Sequence, residues 1–257
     1  MPIVRWGGKI AVVTGAGSGI GAAITHILLR NRINVFGFDI ETNGFETIKT
    51  KISGISNVGF FQGLKCDVSR EYDICTAFDV VKKKFGGVDI MVNNAAVVDY
   101  SRVIDSNRKS FERLVNTNVL AVATCTRIAV ESMRERGVEG HIFNINSVLG
   151  HEIPLQGFSE EKGLNGFNIY PSTKHATVAL THTVRRELAA SKLSIKITSI
   201  SPGLTKTNLA KRANFGNFFD GIPALEPEDI AEALLYALAM KPEVQVRKIH
   251  GNIVNTF

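Results

Sequence analysis

The chain has 257 residues, 44% hydrophobic and 21% charged, which suits one large globular domain spanning 1–257. No run of about 18 apolar residues occurs, so no membrane span is expected, and Met1-Pro2-Ile3-Val4-Arg5-Trp6-Gly7-Gly8-Lys9 lacks a signal-peptide core. The net charge of +6 is scattered, and its longest run, Lys82-Lys83-Lys84, sits late in an expected helix, so attraction of an anionic small molecule is favoured over nucleic-acid binding.

Lys9 to Thr14 reads as a buried strand (Ile10, Ala11, Val12, Val13) that enters a glycine-rich turn and then a helix. Asn34-Val35-Phe36-Gly37-Phe38 is a second strand ending at Asp39. A third strand lies within Val58 to Val68, a helix over 70–85, and a fourth strand over Asp89-Ile90-Met91-Val92. A long helix is expected over 107–136, a fifth strand over His141 to Asn146, and a sixth over Ser194 to Ser201. A helix over 227–240 and an edge strand within Val244 to Ile249 complete the chain. Strands alternating with helices predict βαβ units and a single α/β domain with a doubly wound parallel sheet. Cys66, Cys75 and Cys125 are odd in number and lack metal-ligand spacing, which points to a reduced, cytoplasmic setting and no metal.

The turn Thr14-Gly15-Ala16-Gly17-Ser18-Gly19-Ile20-Gly21 joins the first strand to its helix. Glycines let backbone N–H groups approach a phosphate, and a helix N-terminus favours the negative charge. Asp39 closes the second strand 24 residues after Gly15, where an acid can hold a ribose 2′-OH. That carboxylate would repel the extra phosphate of NADP, and no Arg or Lys occurs within the turn or at 40–48. NAD is therefore the expected cofactor.

Tyr170-Pro171-Ser172-Thr173-Lys174 places a phenol and an amine four residues apart on one helix face. Asn168 is a candidate cap, and Ala176, Leu180, Val184 and Leu188 continue the helical repeat. An ammonium beside a tyrosine favours the phenolate, so the pair can exchange protons. By itself the spacing is equally that of an ordinary surface pair.

Taken together, these stretches resemble the short-chain dehydrogenase/reductase family across nearly the whole chain. The family's TGxxxGIG turn matches Thr14 to Gly21, its adenine-contact motif Asp67-Val68, and its NNAG motif Asn93-Asn94-Ala95-Ala96. Its helix asparagine matches Asn118, its active-site serine Ser147, its YxxxK pair Tyr170 and Lys174, and its Pro-Gly Pro202-Gly203. The resemblance implies Tyr170 as general base in oxidation, with Lys174 lowering its pKa and binding the nicotinamide ribose. It implies Ser147 holding the substrate oxygen, and Asn118 interrupting its helix and positioning a water next to Lys174. The implied cofactor contacts are Gly15, Ser18, Gly19, Ile20, Gly21, Asp39, Ile40, Asp67, Val68, Asn94, Ala95, Tyr170, Lys174, Pro202, Gly203, Leu204, Thr205 and Thr207.

Loops 148–168 and 204–226 are expected on the substrate side. Residues 159–166 are longer than the family pattern and either cover the pocket mouth or form a surface insertion. Leu155, Phe158, Phe167, Leu209, Phe215, Phe218 and Phe219 suggest an apolar substrate, or else core or subunit packing. His151 contacts substrate or has no role. Within the family the chain looks most like the insect farnesol-dehydrogenase-like branch, through Arg5-Trp6-x-Gly8-Lys9, Asn146-Ser147-Val148-x-Gly150-His151, Tyr170 to Ala176 and Ser199 to Gly203. This implies oxidation of a lipophilic, terpenoid alcohol such as farnesol or a monoterpenoid pheromone alcohol. Asp39 departs from that branch, where basic residues favour NADP. Carbonyl reduction, a steroid-type dehydrogenase and a non-catalytic NAD-binding scaffold remain the alternatives. Val119, Val122, Ala123, Val130 and Ala179 are expected on outward helix faces that pair in a homodimer or homotetramer.

Overall fold

Ile10, Ala11, Val12 and Val13 are all buried. Alternate side chains leave opposite faces of a strand, so a run without polar residues must be covered on both sides. The computed structural model, which describes residues 2–153, 166–213 and 221–253, shows what covers it. After a 3-10 turn over Pro2–Trp6 come β1 (Ile10–Thr14), α1 (Gly19–Arg30), β2 (Asn34–Asp39), α2 (Asn43–Ile52), β3 (Phe61–Lys65) and α3 (Glu71–Phe85). Then follow β4 (Ile90–Asn93), α4 (Arg108–Val115), α5 (Ala121–Arg136), β5 (Gly140–Ile145) and α6 (Tyr170–Ala190). β6 (Ile195–Pro202), α7 (Leu209–Arg212), α8 (Pro227–Ala239) and β7 (Lys248–Gly251) end the described chain.

The strands form one seven-stranded sheet in the order β3-β2-β1-β4-β5-β6-β7, with every pairing parallel. This is the doubly wound Rossmann-type arrangement. Strand order reverses between β1 and β4, which opens a crevice at their carboxyl ends. On one face Ala11, Val13, Val92 and Ile145 pack beneath Ile24 and Leu28 of α1 and Leu234 and Leu238 of α8. On the other, Ile10, Val12, Phe36 and Ile142 pack beneath Phe78 and Val81 of α3 and Cys125 and Ala129 of α5. Asp89 fastens the floor of the sheet, where it accepts the Ile10 N–H at 2.8 Å and pairs with Arg136 at 2.9 Å.

Three local expectations change, and the interruption implied at Asn118 is seen. The helix α2 is absent from the sequence reading. Gly44 lies inside it, and a Cβ there would sit 1.8 Å from the Gly17 carbonyl oxygen, so only glycine fits. The helix expected over 107–136 is interrupted where the resemblance implies it, by a π turn at Asn116–Leu120 that holds Asn118 between α4 and α5. The edge strand starts at Lys248 instead of Val244. Before it, the Gln245 carboxamide takes the ladder's place, donating to Ile197 O at 3.1 Å and accepting from Ile197 N–H at 3.4 Å. Finally, Ile169 and not Asn168 stands at the start of α6, and it offers no side-chain cap.

Candidate active site

The glycine turn is held from three sides. Gly15 and Gly19 take φ of 64° and 51°, a region that other L residues enter at a cost. A Cβ at Gly15 would meet Asn94 Nδ2 at 2.9 Å, and one at Gly21 would lie 2.0 Å from the Gly15 carbonyl oxygen. The Thr14 hydroxyl accepts the Asn94 and Ala95 N–H groups at 3.0 and 3.1 Å, while Asn94 Nδ2 donates to Thr14 O at 2.9 Å. The sequence motif contains Thr14, but its work as the splice between β1 and β4 emerges only in three dimensions.

Asp39 is 4% exposed, and its carboxylate is fixed by the Gly17 N–H at 2.8 Å and the Glu41 N–H at 3.0 Å. Beside it, Glu41 pairs with Arg212 of α7 at 2.8 Å, a cation brought from 171 residues away. Asp67 accepts from the Ser69 N–H at 3.0 Å and the Ser69 hydroxyl at 2.7 Å, which ties down the entry to α3.

Tyr170 opens α6 with its side chain buried, and Lys174 one turn later holds Nζ 5.5 Å from the Tyr170 ring centre. The ammonium donates to Ile145 O at 3.1 Å. Ser147 follows β5, starts the short turn Val148–Gly150 and accepts the Leu149 N–H at 3.1 Å. Burial pushes the Tyr170 phenol above its ordinary 10, and a hydrogen bond from Ser147 works the other way. Burial draws the Lys174 amine down to about 8. In the protein alone the phenol is raised, not lowered as expected, because burial outweighs the hydrogen bond from Ser147.

Asn118 lies in the π turn, 2% exposed. Its Oδ1 accepts the Val97 N–H at 2.9 Å and its Nδ2 donates to Val97 O at 2.9 Å, with Thr173 Oγ1 of α6 at 3.2 Å. The widened turn aims this carboxamide sideways, so it joins the segment after β4 to the helix of Tyr170. Behind it runs a polar thread that the sequence reading missed. Asn93 Nδ2 donates to Thr126 Oγ1 at 3.1 Å and to Asn144 Oδ1 at 2.8 Å, and Asn144 Nδ2 donates to Thr181 Oγ1 at 2.8 Å.

These groups converge on one cavity of about 2000 Å³, lined by Gly15, Ser18, Gly19, Ile20, Asp39, Ile40, Asp67, Val68, Asn94, Ala95, Ser147, Tyr170, Lys174, Pro202, Gly203, Leu204, Thr205 and Thr207. Gly21 and Asn118 stand behind its wall. Thr207 closes over the glycine turn, since a Cβ at Gly19 would come 3.0 Å from its methyl. Toward Tyr170 the lining turns apolar, with Val97, Val98, Leu149, Phe167 and Leu209 joined by Tyr100. The Tyr100 and Phe167 rings lie 5.9 Å apart, and burial pushes the Tyr100 phenol up to about 12. Leu155, Phe158, Phe215, Phe218, Phe219 and most of the 159–166 stretch fall outside the described residues. His151 turns toward the sheet edge, with Nε2 2.9 Å from Ser201 Oγ and its ring 4.3 Å from that of His250. The residues present fit a dinucleotide: a side chain at Gly15 or Gly19 would close the turn beneath the cavity, and a fixed carboxylate stands at its far end.

A family model described as short chain dehydrogenase matches residues 9–216. A farnesol dehydrogenase of Aedes aegypti is 41% identical over 246 residues, covering 95% of this chain and 96% of that one. A short-chain type dehydrogenase/reductase structure from Mycobacterium marinum superposes with a TM-score of 0.83 at 25% identity, covering 96% of this chain and 95% of that one. An alcohol dehydrogenase structure from Thermococcus sibiricus, complexed with 5-hydroxy-NADP, gives 0.79 at 25% identity over 97% and 98%. The chain belongs to the short-chain dehydrogenase family and is an oxidoreductase acting on alcohol groups.

Proposed function

We propose that the chain oxidises a lipophilic, terpenoid or allylic alcohol with NAD, the alcohol being farnesol-like or a smaller monoterpenoid. The observation that carries this reading is that Ser147, Tyr170 and Lys174 line, beside Val97, Val98 and Leu149, the same cavity as the fixed Asp39 carboxylate. Ser147 holds the alcohol oxygen by a hydrogen bond, and Tyr170 Oη takes its proton. Lys174 binds the nicotinamide ribose and stabilises the phenolate, while Asn118 maintains the proton path from Lys174 to solvent. When bound, the oxidised nicotinamide would supply the hydride acceptor, and its positive charge would help Lys174 draw the phenol down. Val97, Val98, Leu149, Phe167 and Leu209 exclude water from the reacting carbon.

NAD is preferred over NADP because the Asp39 carboxylate stands where a 2′-phosphate would go and Glu41 occupies Arg212. The 41% identity to the mosquito farnesol dehydrogenase supports the substrate class. The same site run backwards reduces the matching carbonyl. One domain carries the reaction, with 148–168 and 204–226 as substrate loops, in a cytoplasmic homodimer or homotetramer. A panel of terpenoid, steroid and short aliphatic alcohols, each offered with NAD and with NADP at alkaline pH, tests the reading. Terpenoid alcohols with NAD are expected to give the highest kcat/KM, and equal efficiency with NADP or a steroid optimum would overturn it.

A further inference from the structure

Asn168 lies two residues before Tyr170, 7% exposed, with a left-handed φ of 50°. Asparagine tolerates that region better than most residues, so the site selects for it in backbone terms. Its side chain is fully engaged. Nδ2 donates to Ser101 Oγ and Ser106 Oγ, each at 2.8 Å, and Oδ1 accepts the Ile169 N–H at 2.7 Å. Its own N–H donates to Ser101 O at 3.0 Å.

The acceptors are themselves anchored. Asp99 accepts the Ser101 N–H at 2.9 Å and the Ser110 hydroxyl, with Arg113 at 3.4 Å. Burial works against the Asp99 charge, but hydrogen bonds led by that from Ser110 hold the carboxyl down to about 2. A methyl at Gly166 would come 2.9 Å from Ser101 O, so the incoming strand of chain is seated against the same loop. Thus α6, which has no side-chain cap of its own, starts from a knot belonging to the loop between β4 and α4.

We propose that Asn168 is a positioning residue for Tyr170. Its clamped carboxamide sets the direction in which α6 begins, and hence where the phenol oxygen meets Ser147 and the substrate. The proposal rests on the reading of Tyr170 as the proton acceptor. Asn168 is not among the residues that line the cavity. Asparagine alone answers both demands, because aspartate lacks the two N–H donors and glycine supplies the backbone angle without the bonds.

The test compares wild type with Asn168→Gly, which keeps the backbone angle and removes the carboxamide. Four quantities are measured: kcat against pH, KM for the alcohol, the Kd of NAD by calorimetry, and deuterium exchange of residues 166–173. A misplacement of about 1 Å can cost 10²-fold, so kcat is expected to fall about 10- to 100-fold. The limb of the pH profile that reports the phenol should move, with the NAD Kd within about twofold of wild type and exchange faster at 166–173 alone. Ser106→Ala, which removes one acceptor of the knot, should show the same pattern to a smaller degree and serves if Asn168→Gly does not fold. Wild-type kcat and pH profile in a folded variant would overturn the positioning role, whether or not exchange changes. An inactive wild-type chain would reject the reading of Tyr170, and the positioning role with it.

Discussion

Two side chains, Tyr170 and Lys174, carry opposite electrostatic burdens in the same dry pocket: burial holds the phenol protonated and drains the amine. Replacing Tyr170 with Phe keeps the ring packing and removes the proton acceptor, so kcat should fall by roughly 10² to 10⁴ while the NAD Kd stays unchanged in calorimetry. The amine has a signature in stability as well. Its folded pKa of about 8 lies below the ordinary 10.5, so between these values the unfolded chain binds more protons and stability rises with pH. Tyr170, shifted upward, opposes this only above its ordinary 10. Urea denaturation of the protein without cofactor should therefore show wild type gaining stability over Lys174→Met between pH 8 and about 10. At the other end of the cavity, Asp39→Asn removes the repelling charge while keeping a side chain that can accept the Gly17 N–H. The NAD-to-NADP ratio of kcat/KM should narrow by about tenfold or more, the scale of one close charge contact. Asp39 was legible because it ends an apolar strand at a known distance from the glycines. The Glu41–Arg212 pair was not, since nothing local in a sequence joins positions 171 apart.

Among elements, legibility followed hydrophobic period. The apolar strands and α3 fall where their patterns put them, because burial on both faces leaves little freedom. What escaped was chemistry that works across elements. Gly44 inside α2 answers the Gly17 carbonyl, Gln245 answers β6, and Asn168 answers three serines instead of capping its own helix. The π turn at Asn116–Leu120 is silent in the periodicity, but the interruption of the helix at Asn118 was implied by the family resemblance. Gly21→Ala tests the tightest of these crossings. Its new methyl would meet a backbone oxygen that cannot swing away, so α1 must back off the turn. The expected result is a loss of about 1–3 kcal/mol in urea denaturation, with a weakened NAD Kd in calorimetry.

For the molecule as a whole, the cleft depends on a sheet whose two ends are secured by different means. The floor is pinned by Asp89, whose removal in Asp89→Ala leaves the Ile10 N–H without its acceptor and Arg136, still bonded to Val88 O and Ser132 O, without its counter-charge. A loss of about 3 kcal/mol in urea denaturation is expected, enough to compromise a domain of ordinary stability. The carboxyl end is secured by the thread from Asn93 through Asn144 to Thr181. Parallel strands that are oily on both sides have little to stop them sliding, and a slide of one residue turns each side chain to the opposite layer. Any such slide of β4 against β5 would thrust the Asn93 carboxamide into the hydrocarbon beneath α1 and α8. The thread therefore acts as a vernier, favouring the one alignment in which Asn93 stands opposite Asn144.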